Sequence, residues 1–278
     1  MSQHPYCGIS AAFATKHLKE EVVAPIFASI GIEVMVPQVD TDLLGTFSGE
    51  IPRTGSPKEI VLKKAHLGIS ESGLSYAIAS EGTVGPDPMI PFVISDIECM
   101  AWVDTKRNIE VVEFYQSLEI VASTITIGKG DSLADFLKSA DFPNHSLIAK
   151  SESGVGKIYK GINTFESLEL AINELLEKGE KLILESDLRA NHSPSRQKNI
   201  AIVAQRLVDR LKVLCPKCQT PGWGVVGYLY GASCRECRRV EEKSVLGKIL
   251  GCASCEHKVE MKNDRKFIDP AECSFCNP

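Results

Sequence analysis

The sequence predicts an α/β protein with a mixed, mostly parallel sheet, helices on both faces, and a small C-terminal zinc-ribbon module. Three observations lead to this prediction. Short apolar runs alternate with segments of helical periodicity over the first three quarters of the chain. Eight of the ten cysteines lie between Cys215 and Cys276. The composition, 44% hydrophobic and 24% charged, is that of an ordinary globular protein.

Helices and strands follow from periodicity, and loops from runs of Gly, Pro, Ser and Thr. The segment from Thr41 to Pro57 is predicted to be mostly loop, with Ser56 as the cap of the helix that follows and Glu59 completing a capping box. Helices are predicted over residues 19–30, 57–68, 133–138, 165–177 and 196–214. Strands are predicted over residues 33–37, 76–80, 98–104 and 109–127, near Leu147 and Ile158, and over residues 181–185.

The chain is predicted to divide into an α/β domain, residues 1–212, and a zinc-ribbon module, residues 213–278. Residues 206–278 carry 13 Lys/Arg against 9 Asp/Glu, whereas the whole chain has a net charge of −5. A mildly basic tail permits contact with nucleic acid without requiring it. Residues 1–21 have no apolar core of signal-peptide length, and no run approaches about 18 apolar residues, so we expect a cytoplasmic protein with no membrane partner.

Four Cys-x-x-Cys pairs in the tail predict two Zn²⁺ sites. Each pair forms a knuckle with both thiolates directed at one ion, and two knuckles complete a tetrahedral site. The simplest pairing is sequential, first knuckle with second and third with fourth; a cross-braced arrangement, first with third, is the alternative. The predicted ligands are Cys215, Cys218, Cys234, Cys237, Cys252, Cys255, Cys273 and Cys276.

Four thiolates close the coordination shell of zinc, so these sites are expected to be structural rather than catalytic. The tail could also bind a partner, either a protein or a nucleic acid. Contact with nucleic acid would use the basic side chains of Lys217, Arg235, Arg238, Arg239, Lys262, Arg265 and Lys266.

Three polar segments of the α/β part are candidates for a phosphate site, because each follows a strand or precedes a helix. Lysine and arginine side chains would neutralise phosphate, and carboxylates would hold Mg²⁺; Glu20 and Glu50 are further candidates for that ion. The catalytic candidates are Glu81, Lys19 and Glu59. The candidates for binding a nucleotide or another phosphorylated small molecule are Thr15, His17, Arg53, Thr54, Gly55, Ser56 and Lys64.

A fourth polar segment, DLRANHSPSR, follows the strand KLILE and leads into the last helix. Asp187, Arg189, Asn191 and Arg196 could converge on an anionic or nucleotide ligand. A salt-bridged turn that precedes a capped helix explains the same residues equally well.

The order of these motifs resembles the pyrophosphatases that act on inosine and xanthosine triphosphates. The resemblance covers roughly residues 11–130 and rests on Thr15 to Glu20, on Thr54-Gly55-Ser56 with Glu59 and Lys64-Ala65, and on Ala79 to Gly82. The chain departs from that pattern at His17, where the family has Asn, and at Lys19, which comes one residue early. The resemblance implies Mg²⁺-dependent hydrolysis of a nucleotide phosphoanhydride.

A second resemblance covers nearly the whole chain. The phrases GTFSGEIPRTGSP, ASEGTVGPDP and CPKCQTPGWG are similar to an uncharacterised bacterial family with an N-terminal domain of unknown function, and they imply no activity. Two functions are therefore expected as alternatives: a nucleotide hydrolase with a structural or docking tail, or a non-enzymatic protein that binds nucleotide or RNA.

Overall fold

The computed structural model describes residues 4–39, 55–177, 181–263 and 267–278. Within these residues the chain forms three sheets and five α-helices. The helices are α1 (Lys19–Ala28), α2 (Pro57–Ser72), α3 (Ala134–Ser139), α4 (Phe165–Leu176) and α5 (Pro194–Lys212). The strands are β1 (Ile9–Phe13), β2 (Ile32–Met35), β3 (Tyr76–Pro86), β4 (Ile94–Asp104), β5 (Ile109–Ser117), β6 (Thr124–Ile127), β7 (Leu147–Ser151), β8 (Tyr159–Ile162), β9 (Leu182–Ser186), β10 (Gly224–Cys234), β11 (Val240–Gly251), β12 (Lys258–Lys262) and β13 (Phe267–Ile268).

The first sheet has five strands in the order β2-β1-β3-β4-β5. Side chains alternate between its two faces, so residues two apart share a core. Phe13, Ile78 and Trp102 pack with α1 and α5 on one face, whereas Ala77 and Ala101 pack with α2 on the other. Helices therefore cover both faces of this sheet, and the predicted α/β class is confirmed.

The prediction of a mostly parallel sheet was wrong in detail. In the first sheet only β1 pairs in parallel, with β2 and with β3, and the rest of that sheet is an antiparallel meander. Short turns join β3 to β4 and β4 to β5, and a short connection can join only antiparallel neighbours. β1 was not predicted from the sequence, because its ISAAF run is short and rich in small residues.

The second sheet has four antiparallel strands in the order β6-β9-β7-β8. Leu147, Leu182 and Leu184 direct their side chains towards α3 and α4 and form a separate core with them. The strand predicted over residues 109–127 is divided between the first and second sheets. Near this break the backbone N–H of Val121 donates to Ser195 Oγ at 3.2 Å instead of joining a ladder.

The third sheet forms the tail, in the order β12-β11-β10-β13. β10 and β11 make a long antiparallel hairpin, from Gly224 opposite Gly251 at one end to Ser233 opposite Val240 at the other. β13 pairs in parallel with the end of β10, where Cys234 lies opposite Ile268. The knuckle cysteines therefore lie at the two ends of this hairpin. The two-domain division, residues 1–212 and 213–278, stays a prediction.

Candidate functional site

The eight knuckle cysteines form two groups of four. In each group the sulfur atoms all lie within 4.8 Å of one another. One group comprises Cys215, Cys218, Cys252 and Cys255, and the other comprises Cys234, Cys237, Cys273 and Cys276.

The distances between the sulfur atoms fit tetrahedral zinc. Across knuckles, Cys215 lies 3.8 Å from Cys255 and Cys218 lies 3.5 Å from Cys252; the equivalent distances in the second group are 3.8 and 3.7 Å. A tetrahedron with Zn–S bonds of about 2.3 Å places its sulfur atoms about 3.8 Å apart. A disulfide would need about 2.05 Å, and all ten cysteines are free. Both groups could therefore hold Zn²⁺ in a closed shell of four thiolates.

The grouping is cross-braced, so the simpler expectation of sequential pairing was wrong. Each segment between the first and second knuckles, and between the second and third, contains one long strand, of 11 residues in β10 and 12 in β11. A strand of that length spans roughly 35 Å. Consecutive knuckles therefore lie at opposite ends of the hairpin, and each ion site joins knuckles one and three or two and four.

Hydrogen bonds inside the knuckles favour the thiolate form that a metal requires. The backbone N–H groups of Ser254 and Cys255 donate to Cys252 Sγ at 3.3 and 3.4 Å. Hydrogen bonding to Thr220 lowers the pKa of the Cys218 thiol to about 6, whereas burial raises the pKa of the Cys252 thiol despite its two hydrogen bonds. The donor set, the spacing and these hydrogen bonds all suit zinc.

A second candidate site lies where β1 ends and β3 continues beyond it. β1 pairs with β3 only as far as Phe13 opposite Ile78, so Ser80 and Glu81 lie beyond its last residue. Lys19, at the start of α1, donates to Ser80 Oγ at 3.0 Å. Lys64 of α2 approaches from the other face and forms an ion pair with Glu81. We call Lys19, Lys64, Ser80 and Glu81 the lysine–glutamate cluster.

A group of buried polar and charged side chains from α5 and β4 lies next to this cluster. Arg196 of α5 donates from Nε to Glu98 Oε1 of β4 at 2.9 Å, and Asn199 donates to Asp96 Oδ2 at 2.9 Å. These four side chains are almost completely buried. Gly82 leaves the space that the Arg196–Glu98 pair occupies, because a Cβ atom there would lie 2.5 Å from Glu98 Oε2.

Burial shifts the pKa values of two side chains at this site, Lys19 and Asp96. Burial lowers the pKa of Lys19 to about 8, with Glu98 opposing that shift. Burial and the neighbouring Glu98 raise the pKa of Asp96 to about 7, although Arg196 acts in the opposite direction. Strongly shifted side chains of this kind cluster at functional sites and also occur in structural networks of ion pairs.

Of the other residues predicted for this site, Thr15 and His17 lie in the loop before α1, and Gly55, Ser56 and Glu59 lie at the start of α2. Thr15 Oγ1 donates to the backbone carbonyl of Lys16, and His17 has a left-handed backbone with φ of 66°. Glu59 and Ser56 form the predicted capping box of α2, and Gly55 packs beside the Glu59 carboxylate. The predicted residues Arg53 and Thr54, together with Glu50, lie outside the described residues.

The residues of the DLRANHSPSR segment separate into two places. The Arg196 guanidinium belongs to the buried pair with Glu98, and its Nη1 also donates to the carbonyl of Leu188. Arg189 instead donates from Nε to Asp187 Oδ1 at 2.9 Å, and both residues line a separate cavity. Asn191 contacts His192.

Three buried residues next to the cluster were not predicted: Asp96, Glu98 and Asn199. Asp96 and Glu98 lie two apart on β4 and therefore share one face of the sheet. Acidic residues at inward positions of a strand were the available signal. Oxygen atoms of all three, Asp96 Oδ1, Glu98 Oε2 and Asn199 Oδ1, are buried without a hydrogen-bond partner.

Three of the basic residues predicted to contact nucleic acid interact with other side chains of the tail. Arg235 lies 3.1 Å from Asp269, and Arg238 and Arg239 lie over the rings of Phe267 and Phe275. Arg265 and Lys266 lie outside the described residues. In the described part of the chain no helix combines the length and the apolar character needed to cross a bilayer.

The fold and the two cysteine groups define an α/β protein with a C-terminal module that could bind two metal ions, each through four thiolates. Residues 64–278 match the model of the family described as Domain of unknown function (DUF6671). The chain belongs to this family. The matched region includes Lys64, Glu81, Arg196 and all eight knuckle cysteines but begins after Lys19. Searches of curated proteins and of solved structures found no match.

Proposed function

We propose that the protein is a Mg²⁺-dependent hydrolase of nucleotide phosphoanhydrides and that the lysine–glutamate cluster binds the phosphates. The observation that carries this proposal is the meeting of Lys19, Lys64 and Glu81. They come from three separate segments and gather at one end of β1, beside the open edge of β3. Ligand sites of α/β sheets occur at such strand ends.

The charges of the cluster suit a magnesium–nucleotide complex. Mg²⁺ prefers carboxylate and phosphate oxygens, so Glu81 would exchange Lys64 for the metal, and Lys64 would turn to a phosphate. Lys19 supplies a second cation from the opposite face of the sheet. When bound, the metal would polarise a phosphoryl group and acidify a coordinated water. The two lysines would stabilise the charge that develops on the leaving phosphate.

Two further features support the proposal. The buried Arg196–Glu98 pair fills the space above Gly82, which follows Glu81 directly on β3, and so holds this part of the strand in place. The three segments on which the resemblance to inosine and xanthosine triphosphate pyrophosphatases rests also supply Lys19, Lys64 and Glu81. In this proposal the two zinc ions are structural and replace the large core that the tail lacks.

A hydrolysis screen tests the proposal. The full chain, loaded with zinc, is incubated with Mg²⁺ and individual nucleoside triphosphates, and released pyrophosphate and phosphate are measured separately. We expect turnover of at least one nucleotide and its loss in Glu81→Gln. Nucleotide binding without turnover would instead favour the non-enzymatic alternative. If the protein neither binds nor hydrolyses any nucleotide, the hydrolase proposal and the nucleotide-binding alternative are both excluded.

The tail sheet favours a second candidate role, contact with single-stranded nucleic acid. Tyr228 and Tyr230 of β10 are each about half exposed, at 48% and 56%. They lie two apart and so share a face of the sheet, and Lys248 lies opposite Tyr228 on β11. Exposed aromatic rings beside lysines can stack bases and attract the backbone.

Salt-dependent binding of a labelled single-stranded RNA tests this role. We expect the double substitution Tyr228→Ala and Tyr230→Ala to weaken binding by about tenfold or more. Phe165→Ala, which removes another exposed ring in α4, is the control. Binding that is unchanged in the tyrosine variant, or absent in the wild type, would leave protein docking as the role of the tail.

A further inference from the structure

The second sheet carries a cavity of about 450 Å³ on the face opposite α3 and α4. Leu147, Leu182 and Leu184 are directed to the helical side, so the alternate residues Ile148, Lys150 and Glu185 face this cavity. Cavities of this size hold small molecules. Neither the predicted zinc sites nor the lysine–glutamate cluster includes these residues.

Arg189 is held in a fixed position at the wall of the cavity. Asp187, whose side chain is fully buried, accepts hydrogen bonds from Arg189 Nε at 2.9 Å and from the backbone N–H groups of Arg189 and Gly161 at 3.1 and 3.0 Å. Burial acts to raise the pKa of Asp187, but the hydrogen bonds from Arg189 lower it overall. Gly161 has φ of +74°, and a side chain there would contact His192 and the Arg189 guanidinium.

Part of this guanidinium stays available to a ligand. Among the described residues, Arg189 makes its side-chain hydrogen bonds through Nε and Nη2, and none is formed by Nη1. The side chain is 26% exposed. A preorganised fork of this kind suits carboxylate and phosphate groups.

The other walls of the cavity complete an amphipathic site. Its charged lining comprises three cations, Lys150, Lys160 and Arg189, against two carboxylates, Glu185 and Asp187, so the lining has a net positive charge. Lys150 forms an ion pair with Glu185 at 2.6 Å. Ile148 and Ile158 supply an apolar surface, and Thr124 belongs to the same lining.

We propose that this cavity binds a small organic oxyanion, with Arg189 and Lys160 holding a carboxylate or phosphate group and Ile148 and Ile158 contacting its apolar body. This site is independent of the proposed hydrolysis and uses none of the residues of the lysine–glutamate cluster. A volume of about 450 Å³ suits a small molecule better than a folded partner.

Methyl NMR on the zinc-loaded full chain tests this proposal. The probes are phenyl phosphate, benzoate and the neutral benzyl alcohol, each titrated into protein with labelled isoleucine methyl groups. We expect at least one anion to shift the Ile148 and Ile158 signals in a saturable way, with millimolar or tighter affinity. The signals of Ile69 in α2 and Ile249 in β11 should not shift. The two anions distinguish a phosphate from a carboxylate preference.

Substitutions distinguish specific binding in this cavity from non-specific binding of the anion at the protein surface. Arg189→Gln and Lys160→Gln should each weaken binding of the anion by about tenfold, because each removes a charged hydrogen-bond donor. Lys160 is exposed, so its replacement keeps the test valid if Arg189→Gln fails to fold. Arg235→Gln, in the tail, is the matched control. Absence of saturable shifts for both anions, or equal binding of benzyl alcohol, would overturn the proposal.

Discussion

Lys19 Nζ lies 3.0 Å from Ser80 Oγ, and this hydrogen bond joins the segment after β1 to the part of β3 that β1 does not reach. The ammonium group also interacts with Glu98 and Arg196 on its own face of the sheet and with Lys64 and Glu81. Because burial lowers the pKa of Lys19 to about 8, its charge changes within the pH range of ordinary assays.

The first prediction concerns the pH dependence of catalysis. Lys19 loses its positive charge as pH rises through about 8, so kcat/KM for a nucleotide should fall above that pH. Lys19→Arg keeps the charge and should remove this decline, and Lys19→Met should be poorly active at every pH. Profiles of kcat/KM report groups of the free enzyme and are the appropriate measurement. An identical decline in Lys19→Arg would show that another group titrates.

Gly82→Ala should destabilise the protein. The new methyl group would meet the Arg196 guanidinium and lie 2.5 Å from Glu98 Oε2, so the buried pair must move. Overpacking of this kind lowers the free energy of unfolding by about 1–3 kcal/mol. Gly85→Ala, on the same strand with open space around it, is the control and should change stability by less than about 0.5 kcal/mol. Equal denaturation midpoints for the two variants would contradict the packing account.

Zinc content of two double variants distinguishes cross-braced from sequential pairing. Cys218→Ser with Cys252→Ser alters one cross-braced site and should leave one zinc per chain, whereas sequential pairing predicts that both ions are lost. Cys218→Ser with Cys237→Ser alters both cross-braced sites and should leave none, whereas sequential pairing predicts one. Metal analysis of purified protein measures these values, with Cys99→Ser, outside both groups, as the control. The reverse pattern would refute the cross-brace.

His145 should matter for stability. Its Nδ1 lies 2.9 Å from Asp141 Oδ2, and its Nε2 lies 3.0 Å from Ser195 Oγ, distances that resemble a hydrolase triad. However, the Ser195 backbone N–H donates to the same Nε2 at 3.1 Å. Since Ser193 makes no side-chain cap, His145 takes the role of capping the start of α5.

His145→Ala should therefore lower the free energy of unfolding by about 1–3 kcal/mol, through loss of the cap and of the contact with Asp141. His66→Ala, which removes a half-exposed side chain, should change it by less than about 0.5 kcal/mol. Chemical denaturation compares the two variants. Nucleotide hydrolysis by Ser195→Ala should equal that of the wild type, and a loss of turnover would point to a chemical role for Ser195.

Much of the architecture could be predicted from local patterns. The capping box of Ser56 and Glu59 was evident in the sequence because capping depends on residues three apart. The knuckles were evident because four closely spaced Cys-x-x-Cys pairs match the spacing of zinc ligands. The residues of the lysine–glutamate cluster come from three segments that are separate in sequence, and only the fold brings Lys64 to Glu81.

Other features depend on long-range pairing and could not be predicted in this way. The cross-brace follows from the lengths of β10 and β11, which decide where each knuckle lies. Arg196 looked like a partner of Arg189 in sequence, yet it pairs with Glu98, 98 positions away. The acids at 96 and 98 were not predicted as site residues. A buried carboxylate needs a cation to pair with, and here that cation is distant in sequence.

The most direct test of the central claim is the rate of nucleotide hydrolysis by the wild type, Glu81→Gln and Glu110→Gln under identical Mg²⁺ and zinc conditions. Glu110 is a half-exposed carboxylate on β5 that contacts His66 and is the matched control. We predict turnover by the wild type and Glu110→Gln, and a loss of about 100-fold or more in Glu81→Gln. Equal rates in all three proteins, or no turnover of any nucleotide by the wild type, would contradict the proposed function.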